Sequence, residues 1–481
     1  MPTPNKTRNK KLPSEINWLR NSKSEISHFS FFDFFKTYTK RRAQIRFLDV
    51  IKYVEDQEKQ AKILNSYNKW RKTKEAANYW KQRDQANNGE ANDDDVAATP
   101  NPSLTSSDTL ETTETVESIT LDEAKKIISK GLQINDGNTD DNYQDISISL
   151  TRFKRTVLES LSTSLLTFES HLQHLLALSN VLLIGKKSHH TDLERHFTST
   201  TDCIRKRIYN SLKFKGTDHK FPTNIMMALI SIVNCLNCGT SKIDTVTKIL
   251  TLTSDNTDPI VTKLLSCVKS MIEALPFENQ TEEIQEFELC TRYLQPLFQP
   301  LFDSGDDKII FKWTNTIGLN DNLIKSRPDG CIKNFQKSIG FIEVKPIDKA
   351  KNHREINVDL HRLGIFSKEG TTQYKLKHTF AVMAIGTNVK FYLSEPVGNV
   401  LAMVELDTIR LPLSLDELPQ FVPYLDRLYN VMEAIFNCCY NESNVSENCD
   451  FGVSLEPRVI KAITERSVDR TRVNCFYSYY H

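Results

Sequence analysis

Two short apolar runs constrain this chain most: Arg327-Pro328-Asp329-Gly330-Cys331-Ile332 and Ile339-Gly340-Phe341-Ile342-Glu343-Val344-Lys345-Pro346. Successive side chains of a strand point to opposite faces, so Glu343 and Lys345 share one face and Ile342 and Val344 the other. The polar stretch between the runs suits a hairpin turn. Pairing the two runs brings Asp329 beside Glu343 and sets two carboxylates next to an amine. Such a cluster holds a hard divalent cation and activates a water. The plain alternative is a hairpin whose charges simply face solvent. Other acid-x-Lys triplets occur at Glu123-Ala124-Lys125, Asp218-His219-Lys220 and Asp306-Asp307-Lys308, but none has a Pro-Asp ahead of it in a hairpin.

With 481 residues the chain has room for two or three domains. Its net charge of +1 conceals an uneven distribution. Residues 1–84 carry 20 Lys/Arg against 9 Asp/Glu, whereas residues 85–150 carry 3 against 14. A basic arm therefore precedes an acidic linker. The polar, basic start has no apolar core of a signal peptide, and the ten cysteines follow no regular spacing. Both point to an intracellular, reducing location, nuclear or cytoplasmic. The basic runs at 6–11 and 40–42 are too short to decide between those two. No apolar run reaches membrane-spanning length; 225–233 reads as a buried helix.

Residues 29–84 read as helical and basic, with aromatics interleaved from Phe31 to Trp80. They either grip a nucleic-acid backbone and stack on bases, or form a small helical hairpin whose aromatics are its own core. Residues 85–118 are rich in Asn, Asp, Pro, Ser and Thr and are expected to be a disordered linker, which with a short helix at 121–132 extends to residue 145. From 146 to 278 apolar residues recur at three- and four-residue intervals, and the block reads as helical throughout. Its His171-x-x-His174 pair lacks a third ligand nearby in sequence and reads as packing or surface histidine. Cys235-x-x-Cys238 has no second pair at zinc-site spacing and reads as buried thiols.

Mixed structure is expected over 279–440, followed by a tail at 441–481. The pattern predicts an amphipathic helix over 281–294, ended or kinked by Pro296 and Pro300. Strands are predicted at 308–313, 328–332, 339–344, 379–385, 389–393 and 400–406, with a helix at 355–368 and a terminal helix at 415–439. That alternation is the order of an α/β core with a mixed sheet, preceded by an all-helical region.

Over residues 280–410 this arrangement resembles the PD-(D/E)xK phosphodiesterases, the restriction-endonuclease-like nuclease superfamily. It is also similar to a group of largely uncharacterised fungal proteins in the run from Glu286-Phe287-Glu288 into Pro296-Leu297-Phe298. Asp359-Leu360 with Arg362-Leu363, and the strands around 389–406, share that similarity. The resemblance implies a restriction-endonuclease-like core in which Asp329, Glu343 and the carbonyl of Val344 ligate Mg²⁺ or Mn²⁺. Lys345 would act on the attacking water or the transition state, and Glu286 or Glu288 would supply the helix acid, with Glu286 preferred. Arg354, His361 and Arg362, together with His353 and Lys368, are candidates for phosphate contact or else a solvated helix face. The activity implied is metal-dependent hydrolysis of DNA or RNA. The alternatives are a catalytically inactive nuclease-fold module for binding or assembly, and a helical protein-interaction protein.

Overall fold

Val181–Ile184, a four-residue aliphatic run inside the block read as helical, is the first strand of a mixed sheet. Periodicity alone cannot separate so short a buried strand from a helical segment. The chain enters it through Asn180, whose φ of 60° lies in the left-handed region that Asn tolerates. In the computed structural model the described residues are 18–19, 26–35, 40–54, 56–71, 73, 75–76, 78–80, 83, 118–132, 144–186, 189–197, 201–216, 218, 220–279, 283–305, 308–314, 327–440 and 451–466. Contacts divide the chain into two units, 1–103 and 104–481.

In the first unit, helices His28–Phe34, Lys40–Ile51 and Gln57–Trp70 enclose an aromatic core. Ser27 caps the first through a reciprocal bond with Ser30, and Asp56 caps the third by accepting from the amides of Glu58 and Lys59. Phe31, Phe32, Phe35, Phe47, Tyr67, Trp70 and Trp80 are all buried. Most of the aromatics thus pack on one another, which leaves Phe29, Phe34 and Tyr53 exposed. The expected disordered linker at 85–118 lies outside the described residues except for its last position.

The second unit holds the seven strands described: β1 Val181–Ile184, β2 Ile309–Trp313, β3 Gly330–Asn334, β4 Lys337–Lys345, β5 Thr379–Ile385, β6 Asn388–Val397 and β7 Val400–Arg410. Their order across the sheet is β1-β7-β6-β5-β4-β3-β2. β2, β3 and β4 form an antiparallel meander, whereas β4 and β5 run parallel and are joined by the helix His353–Tyr374. Parallel neighbours need such a crossover. Asn352 caps that helix by accepting from the Glu355 amide at 3.3 Å, and Lys375 ends it at φ 51°.

The two faces of the sheet are buried differently. Phe341, Ala381, Met383 and Tyr392 lie with Ile356, Leu360 and Leu363 of the crossover helix and with Leu172 and Leu176 of helix Phe168–Leu178. Ile342, Val344, Val382 and Phe391 join the larger core with Phe298 and Leu301 of helix Gln295–Phe302 and Leu428 and Val431 of helix Tyr424–Ile435. That core also takes in Leu264 and Val268 of helix Pro259–Ala274. Residues 146–278 and 279–440 therefore share one core and one sheet, which differs from the two domains read from the sequence. The reason is strand β1: its pairing with β7 ties the helical block to the sheet edge.

Two further segments are drawn into this unit. Helix Leu121–Lys130, capped by Thr120 and Glu123, buries Ala124 and Ile128 in the larger core. Helix Pro457–Ile463, in the stretch read as a tail, packs against it, and Leu166 donates to the Ile463 carbonyl at 2.9 Å. An amphipathic face finds cover wherever the fold offers it, and sequence distance gives no measure of that.

The helix predicted over 281–294 also differs. Glu286–Glu288 runs into a π-helical turn at Leu289–Leu294 and then into Gln295–Phe302 without a break. Pro296 and Pro300 lie within this continuous run, Pro300 inside its last helix, so neither ends it.

Candidate active site

The β2–β3–β4 meander fixes Asp329 through its backbone. The Thr314 amide donates to the Asp329 carbonyl at 2.9 Å and the Thr314 hydroxyl donates to the Pro328 carbonyl. Gly330 follows, and a Cβ there would meet Ile342, Phe311 and Trp313 at 3.3 Å each, so the strands close tightly at this point. Gly330 is paired with Ile342, and Asp329 precedes it at the level of Glu343. The Asp329 carboxylate accepts from the Val344 amide at 2.8 Å.

Glu343 points from β4 toward the crossover helix and is 0 % exposed. Asp359 and Arg362 of that helix meet it there. One guanidinium nitrogen of Arg362 donates both to Glu343 Oε2 and to Asp359 Oδ1, each at 3.1 Å. Its second nitrogen donates to the Arg327 carbonyl at 2.5 Å. Lys345 Nζ pairs with Asp359 Oδ2 at 2.8 Å. Glu343 Oε1 has no hydrogen-bond partner. A buried polar atom left in that state costs about 1–3 kcal/mol.

Three carboxylates thus face two cations, and the electrostatics follow from that imbalance. Burial pushes Glu343 well above the usual carboxylate range, and the charges of Asp329 and Asp359 push it further. Burial likewise raises Asp329 against the opposing hydrogen bond from Val344. Burial alone would lower Lys345, yet Asp359, Asp329 and Glu343 together raise it above the ordinary lysine value. Arg362 is raised in the same way, chiefly by Glu343 against its own burial.

The residues singled out in the sequence separate into two groups. Asp329, Glu343, Lys345 and Arg362 come together, with Arg362 bonded inside the cluster and not displayed as a phosphate contact. For Glu286 the one link is through Cys290, whose thiol burial raises and which the charges of Asp329 and Glu286 raise further. Glu288 instead pairs with Arg292 at 2.9 Å. Val344 presents its amide to Asp329 while its side chain enters the larger core. His361 is buried against Phe168, with ring centroids 5.8 Å apart, and burial holds it down to about 4. Lys368 is buried and donates to the Ser179 carbonyl at 2.8 Å. Neither reaches a surface phosphate, because both lie on the helix face pressed against helix Phe168–Leu178. Arg354, partly buried, sets its guanidinium 5.9 Å from the Phe168 ring centre, and His353 is half-buried at the helix start. The expectation of a solvated face does not hold for this helix.

Asp359 is the site residue that sequence reasoning missed as a functional group. Its signal was present: an acid between Ile356 and Leu363 at spacings of three and four occupies the apolar stripe itself. An acid there needs a partner, and the strand beneath supplies Lys345.

The donor set suits a hard cation. Two carboxylates, one with an orphaned oxygen, stand where negative charge exceeds positive, and oxygen ligands are what Mg²⁺ and Mn²⁺ take. No helix among the described residues is long and apolar enough to cross a membrane. Compared with protein-family models, curated proteins and solved structures, the chain gives no match.

Proposed function

We propose that residues 280–410 act as a PD-(D/E)xK-type phosphodiesterase on nucleic acid, with a restriction-endonuclease-like core. The observation that carries this reading is the buried Glu343 carboxylate, its Oε1 unpartnered, beside Asp329 and Lys345. The order of elements supports it too: an acid-bearing helix, the β2–β3–β4 meander, a crossover helix and a parallel β5.

Asp329 and Glu343 would hold Mg²⁺ or Mn²⁺, which when bound supplies Lewis acidity and a water of lowered pKa. Glu286, whose charge acts on the Cys290 thiol together with that of Asp329, would supply the third carboxylate. Lys345 remains protonated because Asp359 holds its ammonium. A lysine kept charged is no general base; it stabilises negative charge gathering on the phosphate oxygens. Asp359 positions that ammonium. Arg362 balances charge between Glu343 and Asp359. Phosphate contacts along the substrate then fall to exposed basic side chains.

One observation favours a second reading. Arg362 already bridges Glu343 and Asp359, so the guanidinium serves as a built-in cation in an inactive nuclease-fold module for binding or assembly.

Purified protein incubated with Mg²⁺ or Mn²⁺ and single- or double-stranded DNA or RNA tests both readings, with Glu343→Gln as control. Cleavage that the variant lacks supports the enzyme. Absence of cleavage together with absence of divalent-cation binding at millimolar concentration overturns it in favour of the second reading.

A further inference from the structure

We propose that His174, His190 and Asp192 form a second metal site, for a zinc-type divalent cation that staples helix Phe168–Leu178 to the chain returning from β1. One ligand atom from each residue lies within 4.8 Å of the other two. Asp192 Oδ2 stands 3.5 Å from His174 Nε2 and 3.4 Å from His190 Nδ1. Those separations are long for hydrogen bonds. They match the edge of a tetrahedron around Zn²⁺, about 3.3–3.4 Å for ligand bonds of about 2.0–2.1 Å.

The ligands are held by the fold. The Gln173 side chain donates to the Leu183 carbonyl at 2.9 Å and accepts from the His190 amide at 2.7 Å, which ties helix, strand and loop at one point. Arg195 engages Asp192 Oδ1 at 3.2 Å, so that Oδ2 is the oxygen turned to the histidines. His174 is 4 % exposed and its Nδ1 has no hydrogen-bond partner. The His190 Nδ1 lone pair accepts from the Asp192 amide at 3.1 Å, a bond that ligation through this nitrogen would exchange for the metal. His171 borders the group, its ring centroid 5.0 Å from that of His174 and 5.8 Å from that of His190. The helix leaves regular geometry at His171 itself, at φ −117° and ψ 28°.

Two imidazoles and one carboxylate select a borderline cation over Mg²⁺ or Ca²⁺, which prefer oxygen alone. His174 Nε2 is turned to Asp192 Oδ2, and its ring centroid lies 4.4 Å from that of His190. A cation here would fix helix Phe168–Leu178, against which the crossover helix packs through Asn357, whose amide donates to the Phe168 carbonyl at 2.8 Å.

The test is calorimetric titration of Zn²⁺ into the metal-stripped full chain, with melting followed in parallel. A Cys235→Ser/Cys238→Ser background removes two exposed thiols that would compete for zinc. The expected result is one equivalent of Zn²⁺ bound and a raised melting temperature, with Mg²⁺ producing no such effect at this site. Asp192→Asn and His190→Gln should weaken binding at least about tenfold while melting like wild type without metal. In a Glu343→Gln background, which removes a ligand of the proposed carboxylate site, the one equivalent of Zn²⁺ should remain, so the outcome stands apart from that of the nuclease reading. Co²⁺ in the wild-type site should give a tetrahedral absorption spectrum, a readout that needs no variant to fold. An octahedral or absent Co²⁺ spectrum, or Asp192→Asn and His190→Gln binding zinc as tightly as wild type, overturns the proposal.

Discussion

Removing the charge of Arg362 while keeping its stem is the most direct probe of the carboxylate cluster. In Arg362→Met the apolar part still covers Phe366, over whose ring the guanidinium carbon lies at 5.6 Å. The variant loses the two 3.1 Å bonds to Glu343 and Asp359 and the 2.5 Å bond to the Arg327 carbonyl. Glu343 is fully buried and Asp359 nearly so, which leaves Lys345 alone against three carboxylates. Breaking a buried pair on one side costs about 3–5 kcal/mol, a large share of the roughly 5–15 kcal/mol that holds a domain folded. Hydrogen exchange over 337–345 and 353–374 should then accelerate by about 10²-fold or more at neutral pH, since each 1.4 kcal/mol is a factor of ten. The sign with pH follows from the acids. Glu343 and Asp329 have folded-state pKa values above their unfolded ones. Their stability contribution is fully present below the unfolded values and is lost as pH rises through the folded ones. Without Arg362 those values rise further, so the penalty shrinks as pH is lowered from 7 toward 5. A Glu343→Gln/Arg362→Met double variant should recover most of the loss, because the second change removes the charge stranded by the first. Arg362→Met within about 1 kcal/mol of wild type at pH 7, with no pH dependence, would refute the reasoning.

Three further outcomes are expected. Lys345→Ala should leave divalent-metal affinity nearly intact and cut turnover about 10²-fold, whereas Glu343→Ala should weaken the metal so that raised Mn²⁺ restores part of the activity; calorimetry beside a cleavage assay separates them. Gly340→Ala should destabilise by about 1–3 kcal/mol in urea unfolding, because its Cβ would stand 2.6–2.8 Å from the ring of the fully buried Phe380. Burial holds His378 down to about 4, below its unfolded 6.5, so its contribution is intact above 6.5 and lost as pH falls toward 4, worth up to about 3 kcal/mol. Acid unfolding of His378→Gln, which has no imidazole to charge, should show a shallower limb than wild type over that interval.

Much of the site was legible because strand periodicity is local. The alternation in 339–345 places Glu343 and Lys345 on one face whatever lies above it, and a two-strand hairpin sets Asp329 at their level. A mixed sheet with a helix between 345 and 379 was likewise expected, whereas the parallel pairing of β4 with β5 is seen only in the structure. What lies above that face was not legible. The partners of Glu343 and Lys345 come from a helix whose rotation only packing sets, and that rotation turns Arg362 from a surface cation into one tied to Glu343 and Asp359.

The sequence by itself determined the α/β alternation, the hairpin with its acids and amine, and the aromatic content of the first unit. Tertiary structure alone decided that those aromatics turn inward and that a four-residue run becomes a sheet edge. It also exposed Cys235 and Cys238, read as buried thiols, and set His174 against His190 and Asp192. The physical reason is range. Backbone pleat and helical period act over a few residues and are written in local order. Burial, charge pairing and ligand geometry depend on which distant segments meet, and here a return through β1 brings His190 and Asp192 beside His174.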